Sequence, residues 1–62
     1  METKYYLVYG TKISSYGTLE NLSRRVDRRS YSDKKDVIGK KGIKHRQFIT
    51  ETGKVVAEIH VL

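Results

Sequence analysis

The chain has 62 residues, of which 37% are hydrophobic, and it contains no cysteine, proline or tryptophan. Its length limits it to one small domain, and without cysteine it has neither a disulfide framework nor a thiolate metal site. No apolar run approaches the roughly 20 residues of a membrane span, Met1-Glu2-Thr3 opens no signal peptide, and the net charge is +6. These features predict a cytoplasmic protein, not associated with a membrane, that has a polyanionic partner.

The first predicted element is a strand over residues 3–9, which read TKYYLVY and are rich in aromatic and β-branched side chains. Apolar side chains fall on both of its faces, which predicts a central strand or one that is covered on both sides. Gly10 ends this strand or bends it toward Ile13, and residues 14–17 are predicted to form a loop.

A helix is predicted next, over residues 18–30. Thr18 is the best N-cap, and Glu20 lies where the helix dipole favours a negative charge. At 100° per residue, one narrow stripe of this helix is apolar and packs on the sheet. The stripe consists of Leu19, Leu22 and Val26.

Four arginines, Arg24, Arg25, Arg28 and Arg29, lie beside that stripe in the predicted helix. Arginine presents a fixed fork of donors that matches phosphate oxygens, so this arc is the strongest candidate site in the sequence. A merely solvated helix face is the alternative. Like charges four residues apart cost helix stability, which favours a functional reason for the arrangement.

Residues 31–42 (YSDKKDVIGKKG) are predicted as either an irregular loop or a short second helix. Lys40 and Lys41 lie between two glycines, where backbone N–H groups and lysine charges can converge on an anion. An ordinary exposed turn has the same sequence pattern.

The C-terminal stretch, residues 43–62, predicts a β-hairpin with Gly53 in the left-handed position of its loop. In the preferred register Phe48 faces Val56 and Arg46 faces Glu58, which separates an apolar face from a mixed, basic one. Lys44 and Arg46 then continue the basic track. Phe48 follows on the same face, where it either stacks on a base or simply pairs with Val56.

Together these elements predict a single α+β domain over residues 1–62, with β-α-β-β order. Its three-stranded, mainly antiparallel sheet carries one amphipathic helix packed on one face. The last strand is predicted to lie at an edge of the sheet, where it can pair with a second copy to give a homodimer.

The sequence contains little that indicates catalysis. His45 and His60 fall on opposite faces in the preferred register, and no His, Asp or Glu constellation has metal-ligand spacing. Thr52-Gly53-Lys54 lacks the remaining residues of a phosphate-binding P-loop. The sequence therefore predicts a protein that is not an enzyme and that needs neither a metal nor a cofactor.

Residues 42–46 (GIKHR) and 53–59 (GKVVAEI) resemble the first two strands of the AP2-type DNA-binding domain, whose sheet enters the major groove. The resemblance implies that Lys44 and Arg46 occupy strand positions that reach DNA. The chain has no tryptophan, which that family uses, and it ends where a third strand and a packing helix would follow, so the resemblance does not assign the chain to the family.

The positive charge is concentrated in the middle of the chain. Residues 24–46 contain ten Lys and Arg against three Asp, whereas the two ends are close to neutral. This distribution predicts a nucleic-acid-binding protein, for DNA or RNA, and leaves a small regulator or inhibitor that binds an acidic protein partner as the alternative. The predicted contact residues are Arg24, Arg25, Arg28, Arg29, Lys40, Lys41, Lys44 and Arg46, with Phe48 as a candidate for base stacking.

Overall fold

The computed structural model describes residues 3–62, which form five strands and one short helix. In chain order the elements are β1 (Tyr5–Tyr9), β2 (Lys12–Gly17), α1 (Leu19–Arg25), β3 (Asp33–Gly39), β4 (Gly42–Ile49) and β5 (Val55–Val61). All five strands belong to one antiparallel sheet with the order β2-β1-β5-β4-β3. The predicted three-stranded β-α-β-β fold is therefore wrong, because the protein is mostly β and two of its strands lie where a loop or a short helix was expected.

β1 agrees with the first predicted strand, but the chain then turns back at once into β2. Gly10 has φ of 61° at the first position of the two-residue turn that joins Tyr9 to Lys12, a conformation for which glycine is suited. β2 was missed because Ser14 and the serine after it interrupt any apolar alternation. Ser14 is also the extra residue of a β-bulge opposite β1.

The predicted N-cap of the helix is confirmed. The Thr18 hydroxyl accepts a hydrogen bond of 3.3 Å from the Asn21 amide, which satisfies a free N–H group of the first turn. Leu22 is fully buried, and Leu19 packs against the core, as the apolar stripe predicts.

α1 ends at Arg25, five residues before the predicted end. Val26 leaves the helix with ψ of 125° and remains 2% exposed, so its side chain holds the end of α1 on the sheet. Asp27 then starts a turn, with its carboxylate accepting from the Arg29 amide at 3.0 Å and its carbonyl accepting from the Ser30 amide at 3.0 Å. An aspartate side chain that bonds its own backbone competes with the helix in this way.

β3 occupies most of the segment that was predicted as a loop or a short helix. Six of its seven residues are exposed, and four of them are charged. As the edge strand beside β4, it has no neighbour on its outer side among residues 3–62, and it has no buried face that would impose an apolar alternation. The sequence of β3 therefore lacks the apolar alternation by which a strand is predicted.

The C-terminal hairpin is confirmed, with Gly53 at φ of 87°, but its predicted register is wrong. Ile49 lies opposite Val55, whereas Phe48 lies opposite Ala57, so that Val56 is the extra residue of a bulge. The bulge places Phe48 in the core and removes the expected pairing with Val56. It reverses the alternation of β5 relative to β4, and this puts His45 directly opposite His60 on one face, not on opposite faces.

The core lies between α1 and one face of the sheet. Its buried side chains are Tyr5, Leu7, Leu22, Val26, Phe48, Ala57 and Ile59. The other face of the sheet is covered by no helix among residues 3–62, and we call it the helix-free face.

β5 lies at the centre of the sheet, hydrogen-bonded to β1 on one side and to β4 on the other. The prediction that the C-terminal strand lies at an edge of the sheet is therefore wrong, and β5 has no free side on which a second copy could pair to give the predicted homodimer. α1, the only helix in the described part of the chain, is too short and too polar to cross a membrane.

Candidate functional site

A groove lined by cationic side chains runs between the end of α1 and the beginning of β3. Its volume is about 260 Å³, and it is lined by Ser23, Arg24, Val26, Arg28, Tyr31 and Lys34. We call this surface the cationic groove. Its lining combines one aliphatic, one aromatic and one hydroxyl side chain with three cations.

The segment between α1 and β3 is held at both of its ends, and this brings the three cations together. Val26 is buried at one end, and at the other the ring of Tyr31 meets the Phe48 ring edge-on, with centroids 4.9 Å apart. Lys34 lies opposite Phe48 in the sheet, so it projects to the side of the sheet that α1 covers. Three cations that converge on one groove can bind the oxygens of a phosphate.

The four arginines do not share one helical arc, and that prediction is wrong because α1 ends at Arg25. Arg24 and Arg28 line the cationic groove, and Arg25 and Arg29 do not. Arg25 is exposed in the last turn of α1, where its carbonyl accepts a hydrogen bond of 3.4 Å from the Tyr9 hydroxyl. Arg29 is exposed in the turn that Asp27 begins.

The second cluster of positive charge lies at the turn between β3 and β4. Lys40 and Lys41 form this two-residue turn, because Gly39 pairs with Gly42. Lys44 follows on β4 as the extra residue of a bulge, and all three lysines are exposed. We call these three lysines the ribbon tip.

Arg46 uses its side-chain donors within the fold and not at the exposed surface. Its Nε and Nη2 donate to the two carboxylate oxygens of Asp36 at 2.7 and 3.0 Å, and its Nη1 donates to the Ser23 hydroxyl at 2.9 Å. The hydrogen bond from Arg46 lowers the pKa of Asp36, and the same bond raises the pKa of Arg46. This network ties β3 and β4 to α1 and leaves Arg46 without a free fork for phosphate.

Phe48 is fully buried, with no exposed surface, and Tyr31 covers it from the side of α1. A ring in this position cannot stack on a base while the protein is folded. Of the two interpretations of Phe48, a packing role is the one that the geometry supports, and its opposite neighbour is Ala57.

The cations of both clusters have no carboxylate partner in the described part of the chain. Within residues 3–62, ion pairs closer than 4.0 Å join only Arg46 to Asp36 and His60 to Glu58. The cationic groove and the ribbon tip therefore expose six charges that no carboxylate of residues 3–62 neutralises. Such charges attract anionic groups from solution.

The helix-free face has a different chemistry. A row of four rings crosses it, with centroid distances of 6.5 Å between Tyr16 and Tyr6, 5.5 Å between Tyr6 and His60, and 5.2 Å between His60 and His45. Nδ1 of His45 is buried there with no hydrogen-bond partner among residues 3–62. Over the same residues, no group of three His, Asp or Glu side chains is arranged to hold a metal ion.

Four residues of the cationic groove were not among the predicted contact residues, namely Ser23, Val26, Tyr31 and Lys34, and only Lys34 among them is a cation. Lys34 joins the groove only because β3 is a strand whose alternate residues face α1, and that strand left no apolar pattern in the sequence. Lys34 lies within residues 24–46, so the concentration of positive charge over that region was the signal by which it could have been added to the predicted contact residues.

Comparison of the chain with protein-family models, with curated proteins and with solved structures found no match in any of the three. The functional interpretation therefore depends on the geometry and charge of the chain itself.

Proposed function

We propose that the protein is a small non-enzymatic nucleic-acid-binding module of the cytoplasm, which contacts phosphates through the cationic groove and the ribbon tip. The observation that carries this proposal is the set of six exposed cations in two clusters, none of which has a carboxylate partner within residues 3–62. Phosphate contacts of this kind position a protein on a nucleic acid and supply most of its non-specific affinity.

Stabilisation of the fold does not account for most of these cations. Arg24 lies in the last turn of α1, where the helix dipole favours a positive charge. Arg28, Lys34 and the ribbon tip lie outside the helix and have no such reason to be basic. Clustered like charges repel one another, so a small protein retains them most readily when a polyanion offsets the repulsion.

The separation of the two clusters fits an extended ligand. β3 connects them, and the six residue-to-residue steps from Lys34 to Lys40 correspond to about 20 Å of extended chain. This span covers several phosphates of one nucleic-acid strand, or the two backbones that border a groove. One bound phosphate group alone would not occupy both clusters.

Binding to oligonucleotides across a salt series tests the proposal. A duplex contacted at six phosphates is expected to lose affinity with salt, with a slope of about +5 in log Kd against log salt, because counterions are released on binding. The measurement is fluorescence anisotropy of a labelled oligonucleotide between low and physiological salt. Absence of binding at low salt would contradict the proposal.

Three variants with the same loss of charge locate the contact. The groove variant carries Arg24→Gln, Arg28→Gln and Lys34→Gln, and the tip variant carries Lys40→Gln, Lys41→Gln and Lys44→Gln. The control variant carries Lys4→Gln, Lys12→Gln and Lys54→Gln, which are exposed lysines outside both clusters. The groove and tip variants are expected to weaken binding at least tenfold more than the control. Equal losses in all three would show a general charge effect only.

An acidic protein partner is the second candidate, and one cavity favours it. A cavity of about 540 Å³ lies beside the ribbon tip, where exposed apolar side chains adjoin the three lysines. Ile38 and Leu62, which line it, are 70% and 67% exposed. Binding of a synthetic peptide of alternating Glu and Leu, together with no binding to any oligonucleotide, would favour this candidate.

A further inference from the structure

The pairing between β4 and β5 stops before either strand does. Its last pair joins His45 to His60. Beyond that pair, β4 continues to pair with β3 as far as Gly42, and β5 continues to pair with β1 through Val61 and Tyr5. Within residues 3–62, the two strand pairs thus continue side by side without pairing with each other, and a cleft lies between them.

A cavity of about 540 Å³ occupies this cleft, and both strand pairs line it. On one side are residues 37–44, from the end of β3, its turn and the start of β4. On the other side are Tyr5 and Val61, together with Thr3 and Leu62 beyond the ends of the two strands. Volumes of about 300–1,000 Å³ are typical of sites for small molecules. The cavity therefore has the size of a small-molecule site.

The width of the cleft is set by a hydrogen bond across it. The Tyr5 hydroxyl, from the β1 side, donates to the Ile43 carbonyl of β4 at 2.9 Å. Tyr5 is 7% exposed and belongs to the core, so this contact anchors the start of β4 to the body of the protein. On the other side of the cleft, the Leu62 amide donates to the Lys4 carbonyl at 2.9 Å. A site whose walls are already held in place loses less conformational entropy when a ligand binds.

The lining of the cleft combines exposed apolar side chains with positive charge. Ile38 and Leu62 are 70% and 67% exposed, and Val37 is 42% exposed. The three lysines of the ribbon tip line the same cavity, and none has a carboxylate partner within residues 3–62. No Asp or Glu of that range is among the lining residues. This lining complements a ligand that has an apolar body and one anionic group.

We propose that the cleft binds a small anionic amphiphile, an unbranched apolar chain that ends in a carboxylate. The chain lies along the cleft, and the carboxylate accepts hydrogen bonds from the lysines of the ribbon tip. Residues 37–39 of β3 line the cleft and correspond to about 10 Å along the strand, which suits an elongated chain. A nucleic acid would contact the lysines but leave the apolar lining in water, so this site goes beyond the proposed function.

The test is calorimetric titration of the protein, without nucleic acid, with hexanoate, octanoate and decanoate. Each CH₂ group that leaves water raises affinity up to about fourfold, so decanoate is expected to bind at least tenfold more tightly than hexanoate. Decyltrimethylammonium, which joins a chain of the same length to a cation, is not expected to bind. Decanoate is also expected to shift the amide NMR signals of residues 37–44 and of Val61, which line the cleft.

Three outcomes would overturn the inference. The first is equal affinity for hexanoate and decanoate, and the second is equal binding of decanoate and decyltrimethylammonium. The third is binding of the peptide of alternating Glu and Leu without binding of decanoate, which would favour the acidic protein partner. Oligonucleotide binding is measured separately and decides the proposed function alone.

Two matched pairs of variants separate the carboxylate contact from the apolar contact. The tip variant is expected to weaken decanoate binding at least fivefold, whereas the groove variant, with the same loss of charge, is expected to leave it within twofold. Ile38→Ser is expected to weaken decanoate binding three- to tenfold. Its control is Ile13→Ser, because Ile13 is 53% exposed on β2, at the opposite edge of the sheet. Equal losses within either pair would contradict binding in the cleft.

Discussion

At the scale of single residues, the surroundings of a charged side chain decide whether it serves the fold or the surface. Arg46 and Lys44 are both basic residues of β4, separated by one position. Arg46 faces α1 and uses its donors on Asp36 and Ser23, whereas Lys44 is exposed with no carboxylate partner in the described part of the chain. The sequence assigned the same role to both, because composition cannot show which cation meets a carboxylate across the sheet.

The Asp36–Arg46 pair is expected to make stability depend on acid. Arg46 lowers the pKa of Asp36, so the stabilisation is complete above the ordinary aspartate pKa of about 3.9 and is lost as the pH falls through the lower, folded-state pKa. Asp36→Asn is expected to reduce the free energy of unfolding at pH 6 by about 1 kcal/mol, the upper part of the range for a partly exposed pair. Urea unfolding at pH 6 and pH 2 measures the effect, which should be smaller at the lower pH. A loss that is equal at both pH values would show that the charge of Asp36 is not its cause.

His45 is expected to be a site where substitution stabilises the protein. Its Nδ1 is buried without a hydrogen-bond partner among residues 3–62, and a buried unsatisfied polar atom costs about 1–3 kcal/mol. His45→Phe removes that atom and keeps a ring beside His60. The free energy of unfolding at pH 8 is expected to rise by about 1 kcal/mol, because the substitution removes part of the cost of the buried unsatisfied nitrogen.

The matched control for this substitution is His60→Phe. Nε2 of His60 lies 3.8 Å from the Glu58 carboxylate, so no buried unsatisfied atom is removed there. His60→Phe is therefore not expected to stabilise the protein. If His45→Phe lowers the free energy of unfolding, the unsatisfied nitrogen is not what limits stability at this position.

At the scale of elements, the parts that short-range chemistry determines were predictable and the parts that strand pairing determines were not. The Thr18 cap, the first strand and the Gly53 turn follow from residue types at fixed spacings, and all three are confirmed. The short helix, the edge strand β3 and the bulge at Val56 depend on contacts between distant segments. For the same reason the charged region was predictable, but the convergence of Lys34 with two arginines was not.

Gly53 provides a test of the turn chemistry that the sequence did reveal. Its φ of 87° lies in the region that side chains disfavour, so Gly53→Ala is expected to cost about 1–2 kcal/mol in the free energy of unfolding. Gly17→Ala is the control, because a Cβ there would meet Leu22 at an ordinary 3.8 Å. Thermal unfolding should show a clear loss for the first variant and little change for the second. Equal losses would mean that backbone conformation is not responsible.

At the scale of the whole molecule, charge and aromatic surface are separated. The cationic groove opens beside α1 and the ribbon tip lies at one end of the sheet, whereas the helix-free face carries a row of tyrosine and histidine rings. Arg46, the one Lys or Arg that has a carboxylate partner among residues 3–62, lies between the two clusters along β4 and β3. The fold thus pairs Arg46 with Asp36 and leaves the six cations of the two clusters without a carboxylate partner among residues 3–62.

This separation predicts that binding and stability respond in opposite directions when the clusters are neutralised. Removing three like charges in the groove variant relieves repulsion, and only Arg24 has a favourable helix-dipole interaction, of about 0.3–1 kcal/mol, to lose. The free energy of unfolding of the groove variant is therefore expected to stay within about 0.5 kcal/mol of the native value, or to rise at low salt, while oligonucleotide affinity falls. Urea unfolding at two salt concentrations, combined with anisotropy, measures both quantities on the same samples. A fall of more than about 1 kcal/mol in the free energy of unfolding, with unchanged oligonucleotide affinity, would show that the cations stabilise the fold. A polyanion would then not be needed to explain the charge clusters, and the nucleic-acid interpretation would lose its basis.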